Sequence, residues 1–269
     1  MKPSNIFSRR NRILLRELVI TDFKLRYQGS VLGYLWSLLK PLMLFAILYV
    51  VFIHLMRFGA GEHFAVQLLL GIVMWTFFTE ATVQGMSAIV ARGDLIRKIN
   101  FPKYIIVISG TISALINLLL NLIVVFIFVI FNGVTLSWTL ILFPILIFEL
   151  YVFALAIAFL LSALYVKFRD IAHIWEVLLQ GMFYATPIIY SLDLVTKVSG
   201  QAAKILMLSP VAQIIQDARY VAITHTAPTT WSMINSNLLR YLPILVVIIT
   251  IVFASLYFRK NQKYFAENV

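Results

Sequence analysis

Side chains able to do chemistry are sparse in this sequence, and they do not assemble into a reactive centre. There is no cysteine, which excludes disulfides, thiolate zinc sites and cysteine nucleophiles. His54, His63, His173 and His225 stand singly, without the spacing that a metal site needs. No G-x-S-x-G elbow or H-E-x-x-H helix occurs, and no glycine is followed by lysine, so a Walker A loop to cradle nucleotide phosphates is missing. Three acids, Glu80, Glu149 and Glu176, sit inside long apolar runs. A charge at mid-membrane costs roughly 2.5–3.5 kcal/mol on insertion scales. Two readings follow: lining of a polar path or proton relay, or a hydrogen bond between helices with neighbours such as Gln84, Asn117 and Asn121.

Two other groups of residues remain, cations in short segments and aromatic rings. In residues 8–28, Arg9, Arg12, Arg16 and Lys24 fall near one face of a helix, while Leu15, Val19, Phe23 and Tyr27 fall along another. That pattern predicts a basic amphipathic helix lying on a membrane surface. Residues 91–103, ARGDLIRKINFPK, predict a brief helix ending before Pro102, because proline disfavours helix at the residue preceding it. Rings form a cluster at Trp175, Phe183, Tyr184 and Tyr190, and Tyr34 and Trp36 stand near the start of the first apolar run.

The elements that position these residues must be membrane helices. Of the 269 residues 62% are hydrophobic and only 12% charged, and a water-soluble domain of this size has no means of hiding so much apolar surface. Stretches of about 20 mainly apolar residues predict six spans, at 34–56, 64–89, 104–131, 140–166, 171–190 and 241–258. The fifth is the weakest, interrupted by His173, Glu176, Gln180 and Pro187. The formal net charge of +11 would in a soluble protein raise the question of nucleic acid, but the position of the cations decides against it, since they lie between the apolar runs as topology charges do. Arg57, Lys197, Lys204, Arg219 and Arg240 fall on one side; the other sixteen, Lys40 aside, fall on the opposite side. Both termini are therefore expected in the cytoplasm. No cleavable signal peptide is predicted, since the first long apolar run begins only near Leu42.

The organisation expected is a cytoplasmic N-terminus with its interface helix (1–33), a six-span domain (34–258) and a cytoplasmic tail (259–269). In the long outward loop 191–239, Ser209–Pro210 is a helix start, and the apolar stretch after it is too short to cross, so it re-enters the membrane or lies on it. Gly29 and Gly33 form a GxxxG pattern that either seats a helix closely or makes a turn into span one.

Taken in order, the basic N-terminal helix, LGYLWSLLKPL, LIRKINFPK, VKFRD, FYATPIIY and LSPVAQIIQDARY resemble the ABC type-2 exporter permeases that move lipid-linked polysaccharides: O-antigen, capsule and wall teichoic acid. The resemblance runs from about Leu14 to Phe265. Lys40–Pro41 and Ser209–Pro210 depart from it, since Asn-Pro is frequent in the family at both places.

The resemblance implies a homodimer of six-span subunits in the bacterial plasma membrane, with two separate ATPase chains docked below. The permease itself is then no enzyme and needs no cofactor. The glycan channel would be lined by spans one and five, with Tyr34, Trp36, Trp175, Phe183, Tyr184 and Tyr190 offering rings to sugar faces. Arg12, Arg16, Lys24, Arg26 and Lys40 would receive the pyrophosphate or lipid head, a role that anionic membrane lipids fit equally. Residues 91–103 would couple to the ATPase through Arg97, Lys98, Phe101 and Pro102, with Phe101 as a buried anchor, and residues 191–239 would form an outer gate. The alternatives are a permease of the same fold for a drug, lipid or small molecule, and a proton-coupled secondary transporter.

The charge asymmetry generates a direct test. With cysteines placed at Ser8, Asn100 and Ser199, an impermeant thiol reagent applied to intact cells labels only Ser199→Cys. Labelling of Asn100→Cys from outside refutes the topology.

Overall fold

The computed structural model describes residues 8–55, 63–99, 101–234 and 236–268. The described elements are helical. They run α1 (Arg9–Tyr27), α2 (Trp36–Tyr49), α3 (Phe64–Ala91), α4 (Gly93–Lys98), α5 (Tyr104–Phe131), α6 (Phe143–Lys167) and α7 (Ile171–Ala185). Then follow α8 (Leu192–Val198), α9 (Gly200–Leu206), α10 (Pro210–Ala222), α11 (Thr230–Met233), α12 (Asn237–Arg240), α13 (Leu242–Asn261) and α14 (Phe265–Asn268). Five helical stretches among the described residues are long and apolar enough to cross a bilayer: Gly33–Phe52, Phe64–Ala91, Tyr104–Phe131, Trp138–Lys167 and Leu242–Tyr264. The chain is a multi-pass membrane protein.

The expected fifth span differs. Its helix, α7, has 15 residues and stops at Ala185, two residues before Pro187. At 1.5 Å per residue that is about 22 Å, short of a hydrocarbon core of about 30 Å. Residues 186–189 continue without helix yet are buried by the protein.

Helix α3 is the enclosed centre, packed by α5 and α6. Small residues set the approach. A Cβ on Gly85 would stand 2.5 Å from the Ala158 Cβ of α6, and one on Gly110 of α5 would stand 3.4 Å from the Gln84 backbone. In lipid, where apolar surface has no reason to leave its solvent, such close packing and interhelical hydrogen bonds hold helices together. Asn117 on α5 donates to Glu80 Oε2 on α3 at 3.0 Å, so Glu80 has the interhelical partner that one of its two readings required. Pro41 lies inside α2 and has no N–H for the Ser37 carbonyl four residues back. Asn121 supplies the missing donor from α5, at 3.1 Å.

The glycine pattern before span one makes turns: Gly29 and Gly33 have φ of +77° and +49°, and no atom within 4 Å packs against either site. Helix α4 forms inside the charged loop, as Pro102 predicted, and α10 begins at Pro210 after Ser209.

At the end of the bundle that carries α4, a second apolar cluster joins α1 (Leu18), α4 (Ile96), Phe101, the start of α5 (Ile105, Ile106), α13 (Phe258) and α14 (Phe265). Asp22 of α1 pairs with Arg92, the residue between α3 and α4, and Arg92 Nη1 also donates to Ser109 Oγ at 3.4 Å. Burial lowers the Arg92 pKa, so the carboxylate opposite it matters to keeping the cation in place. Asp22→Arg should therefore loosen α1 by about 1–3 kcal/mol, between the exposed and buried limits for an ion pair. The double variant Asp22→Arg, Arg92→Asp should recover most of that loss in detergent melts. No recovery means that the pair does not hold α1.

Candidate functional site

A groove of about 590 Å³ lies between α2, α3 and α7. Leu44, Trp75, Thr79, Glu176, Gln180, Phe183 and Tyr184 are among its lining residues. The helical period of α7 builds one wall. Trp175 and Leu179 are buried, Leu179 at the edge of the groove, whereas Glu176, Gln180 and Tyr184, one helical turn apart, stay exposed along the adjoining face. Trp75 and Phe183 stand 5.9 Å apart and Phe183 and Tyr184 5.4 Å, so the groove has an aromatic floor at one end. Glu176 and Gln180 bring one carboxylate and one amide. The surface is mainly apolar, with rings that suit the C–H faces of sugars and a few polar groups that suit hydroxyls.

The structure brings only some of the predicted residues here. Phe183 is half-buried in the groove and Tyr184 is exposed in it. Trp175 is not in it: its indole N–H donates to Thr82 Oγ1 at 3.1 Å and its ring packs 6.3 Å from Phe78. A tryptophan with its one donor satisfied in the core is a packing residue. Tyr190 holds the end of α7, donating its hydroxyl to the Tyr184 carbonyl at 3.0 Å. Tyr34 stacks on Phe23 of α1, 4.8 Å between centroids, and Trp36 is half-buried at the start of α2. Neither lines the groove.

The cations divide likewise. Arg12, Arg16 and Lys24 are exposed on α1, and Lys40 is exposed on α2. The Arg26 side chain lies outside the described residues. Arg97 is exposed and pairs with Asp94 at 2.8 Å, and Lys98 is exposed beside it. Phe101 departs from the expectation of an anchor reaching a partner. It is buried in its own chain, against the cluster that holds Leu18, Ile96 and Phe265, because the turn after α4 folds its ring inward. Pro102 is half-buried next to it and its carbonyl accepts from Ile105 N.

Trp75 and Thr79 were not singled out by sequence, being one ring and one hydroxyl in an apolar run; only the packing of α2 and α7 turns them into a wall.

Residues 13–223 match the family model described as ABC-2 type transporter. The chain belongs to that family. Its similar curated proteins include the O-antigen export system permease protein RfbA of Myxococcus xanthus, 30% identical over 258 residues and covering 96% of each chain. Two proteins of the same name from Klebsiella pneumoniae are 29% and 30% identical over 254 residues, covering 93% of each chain. In this ABC-2 chain the family match takes in the groove, the charged loop and α10.

Packing and lining residues on α7 separate experimentally. Trp175→Ala should lower stability by about 3–5 kcal/mol, the range for large aromatics in a core. Tyr184→Ala should change it by less than about 0.5 kcal/mol, as exposed sites do. Thermal melts in one detergent compare them; equal losses would mean that both rings are structural.

Proposed function

We propose that this chain is the permease subunit of an ATP-driven exporter that moves a lipid-linked polysaccharide outward across the bacterial plasma membrane. The observation that carries the reading is the near end-to-end similarity to O-antigen export permeases, in a chain whose mainly apolar groove also carries rings and a few polar side chains. Six crossings complete the topology, the fifth made by α7 together with residues 186–190, and both termini are cytoplasmic. The exposed face of α7 mixes Glu176 and Gln180 with Ile174 and Val177, a surface poorly suited to lipid. A second copy of the chain, facing the first across this groove, would enclose it as a conduit. Phe183 and Tyr184 contact the passing glycan. Trp175, Tyr190, Tyr34 and Trp36 hold the walls.

Exposed cations of α1, among them Arg12, Arg16 and Lys24, together with Lys40 on α2, receive the phosphate-bearing head of the lipid carrier. Energy comes from ATP-binding chains, two per dimer, seated against α4. Arg97 and Lys98 make the contact, while Phe101 and Pro102 stiffen the loop from behind. A short loop transmits movement only if it is firmly seated, and the aromatic cluster around Phe101 provides that seat.

The test uses the chain coexpressed with the ATP-binding chain of its own system. The expected result is a two-plus-two complex in native mass spectrometry, with no hydrolysis by the permease alone. Arg97→Ala with Lys98→Ala should reduce copurification of the ATPase at least several-fold without loss of the dimer. Tyr184→Ala should slow appearance of surface glycan while ATP hydrolysis persists. Normal glycan display in a strain lacking this chain would overturn the reading.

A further inference from the structure

Arg219 on α10 is the largest fully buried side chain among the described residues. Its guanidinium spreads over three backbone carbonyls: Nε donates to Gln67 O at 3.1 Å, Nη1 to Pro187 O at 2.7 Å and Nη2 to Ile188 O at 2.8 Å. Gln216, one turn earlier, adds a donor to Pro187 O at 3.3 Å. No carboxylate pairs with the guanidinium among the described residues. Burial lowers its pKa to about 10, so it keeps its proton at neutral pH.

A charge buried against neutral carbonyls is a poor way to gain stability, since an apolar side chain of similar volume would avoid the desolvation. Its value is geometric. Residues 186–189 are buried and not helical; Ile188 N serves the Thr186 carbonyl within the segment, while the Pro187 and Ile188 carbonyls take their donors from α10. A planar fork presents donors to two successive carbonyls in a fixed, spread geometry, whereas an ammonium is a compact point of charge on a flexible stem. The surroundings are shaped to it. On α3 a Cβ at Gly71 would stand 2.8 Å from Arg219 Nη2 and 3.2 Å from Ile188 Cγ2. The same three bonds tie together α3, α10 and the segment that follows the groove rings Phe183 and Tyr184.

We infer that Arg219 is a positioning residue for outward release, keeping residues 186–190 closed over the outer end of the groove until the Pro187 and Ile188 carbonyls are given up. This rests on the reading of the groove as the substrate path. Opening exchanges two charge-assisted bonds for water or for other donors, and α10 moves together with the end of α7 because the guanidinium bridges them. The sequence marked Arg219 only as one of five outward cations.

The naturally cysteine-free chain allows a direct measurement. Thr186→Cys, at a site 4% exposed, serves as reporter in the assembled complex, with an impermeant maleimide added from the outer side and no ATP. The expected result is slow labelling in the otherwise unchanged chain and at least tenfold faster labelling with Arg219→Gln. Arg219→Lys should fall between. Gly71→Ala, which displaces the same guanidinium from α3, should also accelerate labelling, and it carries the test if Arg219→Gln does not assemble. A second reporter, Ala114→Cys in the middle of α5, controls for general loosening and should stay unlabelled. Unchanged Thr186→Cys labelling in both the Gly71→Ala and Arg219→Lys variants, or equal acceleration at Ala114→Cys, overturns the inference. Because labelling reads the closure without any substrate, a failed exporter reading would show in glycan display and leave this result standing.

Discussion

Hydrocarbon offers no partner to a backbone N–H or C=O, and most of this structure follows from that single constraint. Regular helix satisfies it within each span, which is why the five long elements can cross at all. At two breaks in the helix a side chain from a different element takes over. Asn121 serves the Ser37 carbonyl that Pro41 cannot reach, and Gln216 and Arg219 serve the carbonyls beyond Pro187. These side chains do double duty, because each one that completes a neighbour's backbone also fixes where that neighbour lies.

The two ends of the bundle are held by different physics. Around α4 the joint is an aromatic and aliphatic cluster with one ion pair, in which α1, the charged loop and the C-terminal turn share a core. Such a unit is packed densely enough to move as one piece. At the opposite end α10 also packs Val211, Ile214, Ile215 and Ala218 into the main core, and what sets it apart is the added hydrogen bonds from Arg219 and Gln216 to carbonyls, directional and exchangeable one for another. A stiff joint where force enters and an exchangeable one where cargo leaves is the division of labour that the proposed exporter requires.

Helix α7 lies between them and buries only Trp175 and Leu179. Trp175 and Leu179 attach it to α3 and α6, while its other side carries Glu176, Gln180 and Tyr184 into the groove. Its length, too short to cross without residues 186–190, makes its outer end depend on whatever holds that segment. A wall built this way can be shifted at its end without disturbing its root.

Much of this was legible in the amino-acid sequence, because lipid imposes its demands locally. Span positions follow from runs of apolar residues, the α4 turn from Pro102, the α10 start from Ser209–Pro210, and the basic amphipathic α1 from its period. Order and type of these segments also sufficed to point to the family. What sequence could not decide is which side chains meet. Trp175 and Tyr184 are both rings on one short helix, yet a difference of nine positions, two and a half turns, turns one into the core and leaves the other in the groove. Phe101 is a plausible anchor in a charged loop until Leu18 and Phe265, distant in the chain, are folded against it. Arg219 counts as a topology charge until α3 and residues 186–190 present three carbonyls to it. Hydropathy and period are properties of one segment, whereas a hydrogen bond or a buried ring belongs to two, and only the tertiary structure brings the second partner.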